Sequence, residues 1–282
     1  LVGSEMCIRD RPVAIVHSSQ PCDSSLAGYP ALASYLGVPH YCIDIPYWRD
    51  ERTYEYVADE ILGLASFLEE KTAKKLDYGR LRKVMEHSNR AQEHILKINE
   101  MRKLIPCPIS SSVPFAAMAM AGSPEFADYC ARGYELAKAR MTQGKERLSQ
   151  EKKRLVWIGL TVNEDPGLYG WLEREFGAVS VMSMMGYYRS GVVEDLSSSR
   201  SIAKGLARKL LEIPMGAECR GPANYFIESS VNMCRDYKAD AAIFAGNIGC
   251  KNMWAIIKLV KDAIADEMGI PTLAFECDTG DD

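Results

Sequence analysis

The feature that most constrains the fold is a strand–turn–helix–strand unit near the end of the chain. Ala241–Ala245 is a short apolar run that predicts a buried strand. Gly246–Gly249 predicts a turn, Cys250 follows it, and an amphipathic helix begins near Lys251. Ile270–Phe275 predicts a second strand. Strands joined by a helix are expected to be parallel, which brings Cys250 to the edge where open α/β sheets bind ligands.

A second cysteine has the same kind of position near the start of the chain. Cys22 lies in the polar loop Ser18–Ser25, which follows the predicted strand Val13–His17. A helix over Tyr29–Leu36 and a strand over Tyr41–Ile45 complete a parallel β-α-β unit. The free N–H groups and the positive dipole end of a helix favour an anion, and a thiolate is one.

The rest of the chain alternates short apolar strands with helices, which predicts an α/β protein with two Rossmann-like parallel-sheet domains and an intervening helical region. Residues 12–50 are expected to form the C-terminal part of a first α/β domain. Residues 51–153 are expected to form the helical region and connector, and residues 154–282 a second α/β domain with a truncated C-terminus. Residues 1–11 resemble a translated sequencing-adapter read-through and are predicted to be non-native.

Helical patterns dominate the middle of the chain, where apolar residues recur on one face with charges between them. The predicted helices there span Glu51–Lys75, Tyr78–Met101, Ser110–Ala121 and Pro124–Lys152.

Composition excludes two classes of partner. The net charge is −4 and no basic block stands out, which argues against a nucleic-acid surface. No apolar run reaches about 18 residues, so no membrane-spanning helix is predicted. The chain has nine cysteines, but it shows no secretory signal, and its α/β pattern is typical of a cytoplasmic enzyme rather than a disulfide scaffold. Most of the cysteines, such as Cys42, Cys130 and Cys234, are expected to be small buried hydrophobic residues.

The residues alone leave three kinds of chemistry open for the loop cysteines. A nucleophile pair of Cys22 or Cys250 with His17 is conceivable, although a strand histidine is more often a core residue. Zinc is also conceivable, but the close ligand pairs of most zinc sites are absent from the sequence. Isolated cysteines brought together by a fold are the third possibility, as ligands of an iron–sulfur cluster.

Four short segments carry a family resemblance: PCDSS at 21–25, IPYW at 45–48, GCKNMWA at 249–255, and GIP at 269–271 leading to Asp278. With them, the sequence from Pro12 to Asp282 resembles the 2-hydroxyacyl-CoA dehydratase family, which also contains ATP-dependent benzoyl-CoA reductase subunits. The resemblance is somewhat greater to the beta-type dehydratase subunit than to the alpha-type.

The resemblance implies a [4Fe–4S] cluster held between two Rossmann-like domains by three cysteines. Cys22 and Cys250 match two of those positions, and the family's remaining cysteine lies upstream of Pro12. Cys277, at the exit of the last strand, is a candidate for a local substitute. The backbone amides of Gly246–Gly249 are expected to donate hydrogen bonds to the cluster sulfurs.

The resemblance also implies a reaction, in which water is removed from a (R)-2-hydroxyacyl-CoA to give the enoyl-CoA. This chain would relay one electron, which forms a ketyl radical on the thioester and allows hydroxide to leave. The implied partners are an alpha-type dehydratase subunit in a heterodimer, an ATP-dependent iron–sulfur activator protein and the acyl-CoA substrate. Two alternatives remain: a benzoyl-CoA-reductase-like or double-cubane-cluster reductase component, and a cluster-free two-domain α/β binding protein.

Overall fold

The structure, a computed structural model, describes residues 12–110, 120–143, 151–159, 162, 165 and 167–277 of the 282-residue chain. The described strands are β1 (Ile15–Ser18), β2 (His40–Ile43), β3 (Lys153–Gly159), β4 (Ala178–Ser183), β5 (Ala241–Asn247) and β6 (Thr272–Cys277). The described helices are α1 (Asp23–Leu36), α2 (Glu51–Thr72), α3 (Tyr78–Arg102), α4 (Pro124–Gln143), α5 (Gly167–Phe176), α6 (Ser199–Glu212), α7 (Ala223–Asp236) and α8 (Lys251–Met268). The predicted α/β class is confirmed.

Three sequence predictions fall outside the described residues: the non-native segment 1–11, most of the helix Ser110–Ala121, and Asp278. One predicted helix, Pro124–Lys152, is too long, because Glu151 and Lys152 lie in non-helical backbone before β3.

The chain divides into two compact units. The first combines Leu1–Arg82 with Val193–Leu211, and the second combines Lys83–Val192 with Glu212–Asp282. The domain boundaries predicted from the sequence describe parts that would fold independently. A division into compact units does not test independent folding, so these boundaries stay predictions.

The first unit is built around the parallel pair β1–β2. Apolar residues of α2 recur at Val57, Ala58 and Ile61, one face of a helix, and pack with Ala203 and Ala207 of α6. These buried contacts explain why Val193–Leu211, which is distant in sequence, belongs to the first unit.

Charged side chains line the same two helices outside these buried contacts. Three acidic residues lie one helical turn apart on α2 and pair with basic residues of α6. Glu51 pairs with Lys204 and Arg208, Glu55 with Arg200 and Lys204, and Asp59 with Arg200. Salt bridges at such exposure are screened by water and contribute little, so the buried apolar residues stabilise the helix pair more than these charges do.

The second unit contains a parallel sheet in the order β4-β3-β5-β6. One face is covered by α7 and α8, which bury Val231, Val260 and Ile264 against it. The other face packs with α5 through Leu168 and Tyr169. Both faces of the strands are therefore apolar, as expected for a parallel sheet.

A buried arginine joins three segments of the second unit. The guanidinium of Arg154, on β3, donates to the carbonyl oxygens of Tyr237 (2.7 Å), Leu104 (3.0 Å) and Arg102 (2.7 Å). It also forms a buried salt bridge with Glu151 at 2.5 Å. Since all of these groups are hydrogen-bonded, the charge is tolerated in the interior.

Candidate functional site

Cys250 lies where the sequence analysis placed it, between the end of β5 and the start of α8. It is the N-cap residue of α8, with φ −88° and ψ 81°, and its side chain makes no capping hydrogen bond. The residue is half-buried and packs against the apolar cluster on the α7–α8 face of the sheet. Cys250 is therefore the residue at which an eighteen-residue helix presents its positive end.

The turn that carries Cys250 is braced by Asn247. The carbonyl oxygen of Asn247 accepts from the backbone N–H of Cys250 (2.9 Å) and from the indole Nε1–H of Trp254 (3.0 Å). Trp254 in turn packs edge-on against Phe244, with ring centroids 5.2 Å apart. Gly246 is required beneath these rings, because a Cβ atom there would lie 2.6 Å from each of them. The helix entry is consequently held by side chains as well as by backbone.

The predicted role of the turn amides is wrong for two of them. The N–H of Ile248 donates to the carbonyl oxygen of Cys277 (3.3 Å), and the N–H of Gly249 donates to Oδ1 of Asn247 (2.9 Å). Gly246 and Asn247 belong to the β5–β6 ladder. These two N–H groups are thus already hydrogen-bonded within the protein, as is usual for backbone donors in a tight turn.

Cys219 is a second thiol beside Cys250 that the sequence analysis missed as a site residue. It ends a short π-helical turn, Met215–Cys219, and its carbonyl oxygen accepts from Nδ2 of Asn252 (3.1 Å), in the first turn of α8. Burial raises the pKa of the Cys219 thiol to about 12, and electrostatic interaction with Glu218 and with Cys250 adds to the effect. Cys219 is therefore a neutral thiol next to the candidate ligand.

No sequence spacing predicts this neighbour, since α7 and β5 separate the two cysteines along the chain. The order of the elements nevertheless indicates that Cys219 and Cys250 lie near each other. The turn before α7 and the turn before α8 precede helices on the same face of a parallel sheet, so their helix starts are expected to be adjacent.

Cys22 occupies the equivalent position in the first unit. It is the N-cap residue of α1 and is exposed, with no capping hydrogen bond from its side chain. The loop before it is closed by Ser18 and Ser25: the Ser25 hydroxyl donates to the carbonyl oxygen of Ser18 (2.9 Å), and the Ser18 hydroxyl donates to that of Gln20 (2.7 Å). The helix begins at Asp23 rather than at the predicted Tyr29, because the polar residues after Cys22 form its first turn.

His17 is buried, as expected for a strand histidine, but it does not pair with a cysteine. Its Nε2 atom lies 3.3 Å from Nδ1 of His40, and its ring stacks on Tyr29 with centroids 5.9 Å apart. The described hydrogen bonds therefore favour neither Cys22 nor Cys250 as its partner in nucleophilic chemistry.

Cys277 is the last residue of β6 and pairs with Asn247 in the strand register. It is half-buried and packs with the cluster that includes Trp157 and Tyr169, on the α5 face of the sheet. Cys250 packs against the cluster on the opposite face. The structure therefore does not bring these two thiols together on one face.

Across the parts of the chain that the structure describes, no group of three or more His, Cys, Asp or Glu side chains is arranged to hold a metal ion. Cys22 belongs to the first unit and Cys250 to the second, so their use in one cluster stays a prediction. No described helix is both long enough and apolar enough to cross a membrane.

Comparison with known proteins adds to this geometry. The sequence matches the family described as 2-hydroxyglutaryl-CoA dehydratase, D-component, over residues 3–282. The match begins within the segment 1–11 that the sequence analysis set aside.

Similar curated proteins include the alpha subunit of (R)-2-hydroxyglutaryl-CoA dehydratase from Acidaminococcus fermentans, 24% identical over 92% of this chain and 54% of the relative. The lactoyl-CoA dehydratase alpha subunit of Anaerotignum propionicum is 26% identical over 57% of this chain and 40% of the relative. The (R)-phenyllactyl-CoA dehydratase alpha subunit of Clostridium sporogenes is 22% identical over 92% of this chain and 63% of the relative. The chain thus spans about half the length of the curated relatives it matches, and their names do not confirm the beta-type assignment.

Proposed function

The chain belongs to the 2-hydroxyglutaryl-CoA dehydratase, D-component family, and from that membership we propose that it is an iron–sulfur subunit of a (R)-2-hydroxyacyl-CoA dehydratase. The observation that carries the proposal is the repeated position of Cys22 and Cys250, each the N-cap residue of a helix that follows a parallel strand. Three relatives are named as dehydratase subunits, which favours a dehydratase over the reductase alternative.

The two thiols suit a [4Fe–4S] cluster by their chemistry. Thiolates are the usual ligands of such clusters, and the start of a helix lowers the cost of a thiolate. Neither side chain is engaged as a helix cap, so each sulfur is available. Cys22 and Cys250 would hold the cluster, and a third ligand would come from outside the described residues. Cys277 is supported less, because it packs on the other face of the sheet from Cys250.

When bound, the cluster would supply one electron for the elimination of water from the acyl-CoA. The chain's own contribution is to position the sulfur of Cys250 through Asn247 and Trp254, and to exclude water with the apolar residues behind it. Asn252 is engaged with the carbonyl oxygen of Cys219, so it serves the helix entry rather than a partner. The proposed partners are a second dehydratase subunit, an ATP-hydrolysing iron–sulfur activator protein and an acyl-CoA substrate.

The test is the iron and acid-labile sulfide content of the full-length protein, purified without oxygen. Cys22→Ser and Cys250→Ser are expected to lose most of the iron. Cys42→Ser is the matched control, since Cys42 is a half-buried thiol on β2 that is not at a helix start. An iron-free wild type, or unchanged iron in Cys250→Ser, would contradict the proposal and favour the cluster-free binding protein.

A further inference from the structure

The first unit contains a pair of histidines that neither the fold nor the proposed cluster explains. His17 and His40 lie on adjacent parallel strands, where the register pairs Ile15 with His40 and His17 with Cys42. Since side chains alternate along a strand, both histidines belong to the same face of the β1–β2 pair. Two strands of a sheet hold these residues on a rigid support.

The distance between the two rings matches that of two ligands on one metal ion. The atoms Nε2 of His17 and Nδ1 of His40 are 3.3 Å apart, and the ring centroids are 5.4 Å apart with the planes tilted by 32°. Two nitrogens bound to tetrahedral zinc at about 2.0–2.1 Å are separated by about 3.3–3.4 Å.

Of the two imidazoles, only that of His17 is buried. His17 is only 7% exposed, and its Nδ1 atom has no hydrogen-bond partner among the described residues. A neutral His17 with its proton on Nδ1 would have the lone pair of Nε2 available on the side of His40.

The pair is also accessible from one side. His40 is exposed, so an ion can approach from solvent and the far nitrogen of His40 can meet water. Tyr29 stacks on His17 and fixes the plane of its ring. The described residues place no third side-chain ligand beside the two, so water would complete the coordination.

From this geometry we propose that His17 and His40 form a two-histidine site for a divalent transition-metal ion of the class that prefers imidazole, with zinc as the representative. The bound ion bridges β1 and β2 through Nε2 of His17 and Nδ1 of His40. The site is separate from the proposed cluster and does not depend on it, because neither histidine is one of the proposed thiol ligands.

The chain has only four histidines, which makes a direct test practical. Zinc is titrated into the ¹⁵N-labelled protein under reducing conditions, and the side-chain nitrogens are followed by long-range ¹H–¹⁵N NMR. We expect the signals of His17 Nε2 and His40 Nδ1 to move to metal-bound positions, while those of His87 and His94 stay in place. This readout distinguishes imidazole binding from zinc taken up by the cysteines.

Variants complete the test. His40→Gln is expected to weaken zinc binding at this site by about tenfold or more, since one of two ligands is lost. His87→Gln, a half-buried histidine on α3, is the control and is expected to bind as wild type. His17→Gln provides a second variant, and circular dichroism checks that each protein is folded. Unmoved His17 and His40 signals, zinc bound by thiols only, or equal affinities of His40→Gln and His87→Gln would overturn the proposal.

Discussion

Cys22 and Cys250 have the same local position and very different surroundings. Each is the N-cap residue of a helix that follows a parallel strand. The turn at Cys250 is tied to its surroundings by hydrogen bonds. Trp254 donates to the carbonyl oxygen of Asn247, and Asn252 donates to the carbonyl oxygen of Cys219. Around Cys22, the loop is closed by short hydroxyl contacts and the thiol is exposed. The difference shows that a strand–turn–helix connection places a thiol, whereas neighbouring side chains decide how firmly it is held.

The largest expected contrast is in thiol reactivity. In a brief iodoacetamide treatment of the folded chain at pH 8, Cys22 should react first, the half-buried Cys250 more slowly, and Cys219 last. A pKa of about 12 for Cys219, against 9.0 for an ordinary thiol, lowers its thiolate fraction by about a thousandfold. Peptide mass spectrometry gives the three rates. If Cys250 reacted as fast as Cys22, the difference in surroundings would have no consequence for access.

The next largest effect is expected from Gly246→Ala. The new methyl group would lie 2.6 Å from the rings of Phe244 and Trp254, so one of them must move. Overpacking of this kind costs roughly 1–3 kcal/mol. Urea denaturation measures the loss, and alkylation of Cys250 is expected to accelerate because its turn shifts. An unchanged denaturation midpoint would show that the rings can yield without cost.

Trp254→Phe should have a smaller and more local effect. The change removes the indole N–H that donates to the carbonyl oxygen of Asn247, although that oxygen still accepts from Cys250. A hydrogen bond of this kind contributes about 1 kcal/mol. Faster alkylation of Cys250 with no change at Cys22 would confirm that the hydrogen bond from Trp254 to Asn247 affects only the second unit. Equal acceleration at both thiols would contradict it.

The smallest effect is expected near Cys22, from Gly28→Ala, and it is a gain of stability rather than a loss. No atom lies within 4 Å of a Cβ added at Gly28, in the middle of α1. Gly28→Ala should therefore stabilise the helix by roughly 0.5–1 kcal/mol, because alanine restricts the unfolded chain. Thermal unfolding measures the gain. A destabilised variant would mean that the surface of α1 is already covered.

The sequence predicted the α/β class and the position of Cys250 because both depend on local patterns. The run Ala241–Ala245 and the turn after it mark the strand end directly. The start of α1 was placed too late, since its first turn consists of residues that also favour loops. Cys219 and the His17–His40 pair were not predicted, because helix docking and strand register, rather than local patterns, bring them into position.

The first unit is assembled from two segments of the chain that are separated by Lys83–Val192. During synthesis on a ribosome, α2 emerges long before α6, and its apolar stripe at Val57 and Ala58 has to wait for Ala203 and Ala207. Until then the nascent unit exposes a surface of the kind that chaperones bind. The discontinuous arrangement thus sets an order of events in biogenesis: the earlier segment of the first unit can be completed only after most of the second unit has been translated.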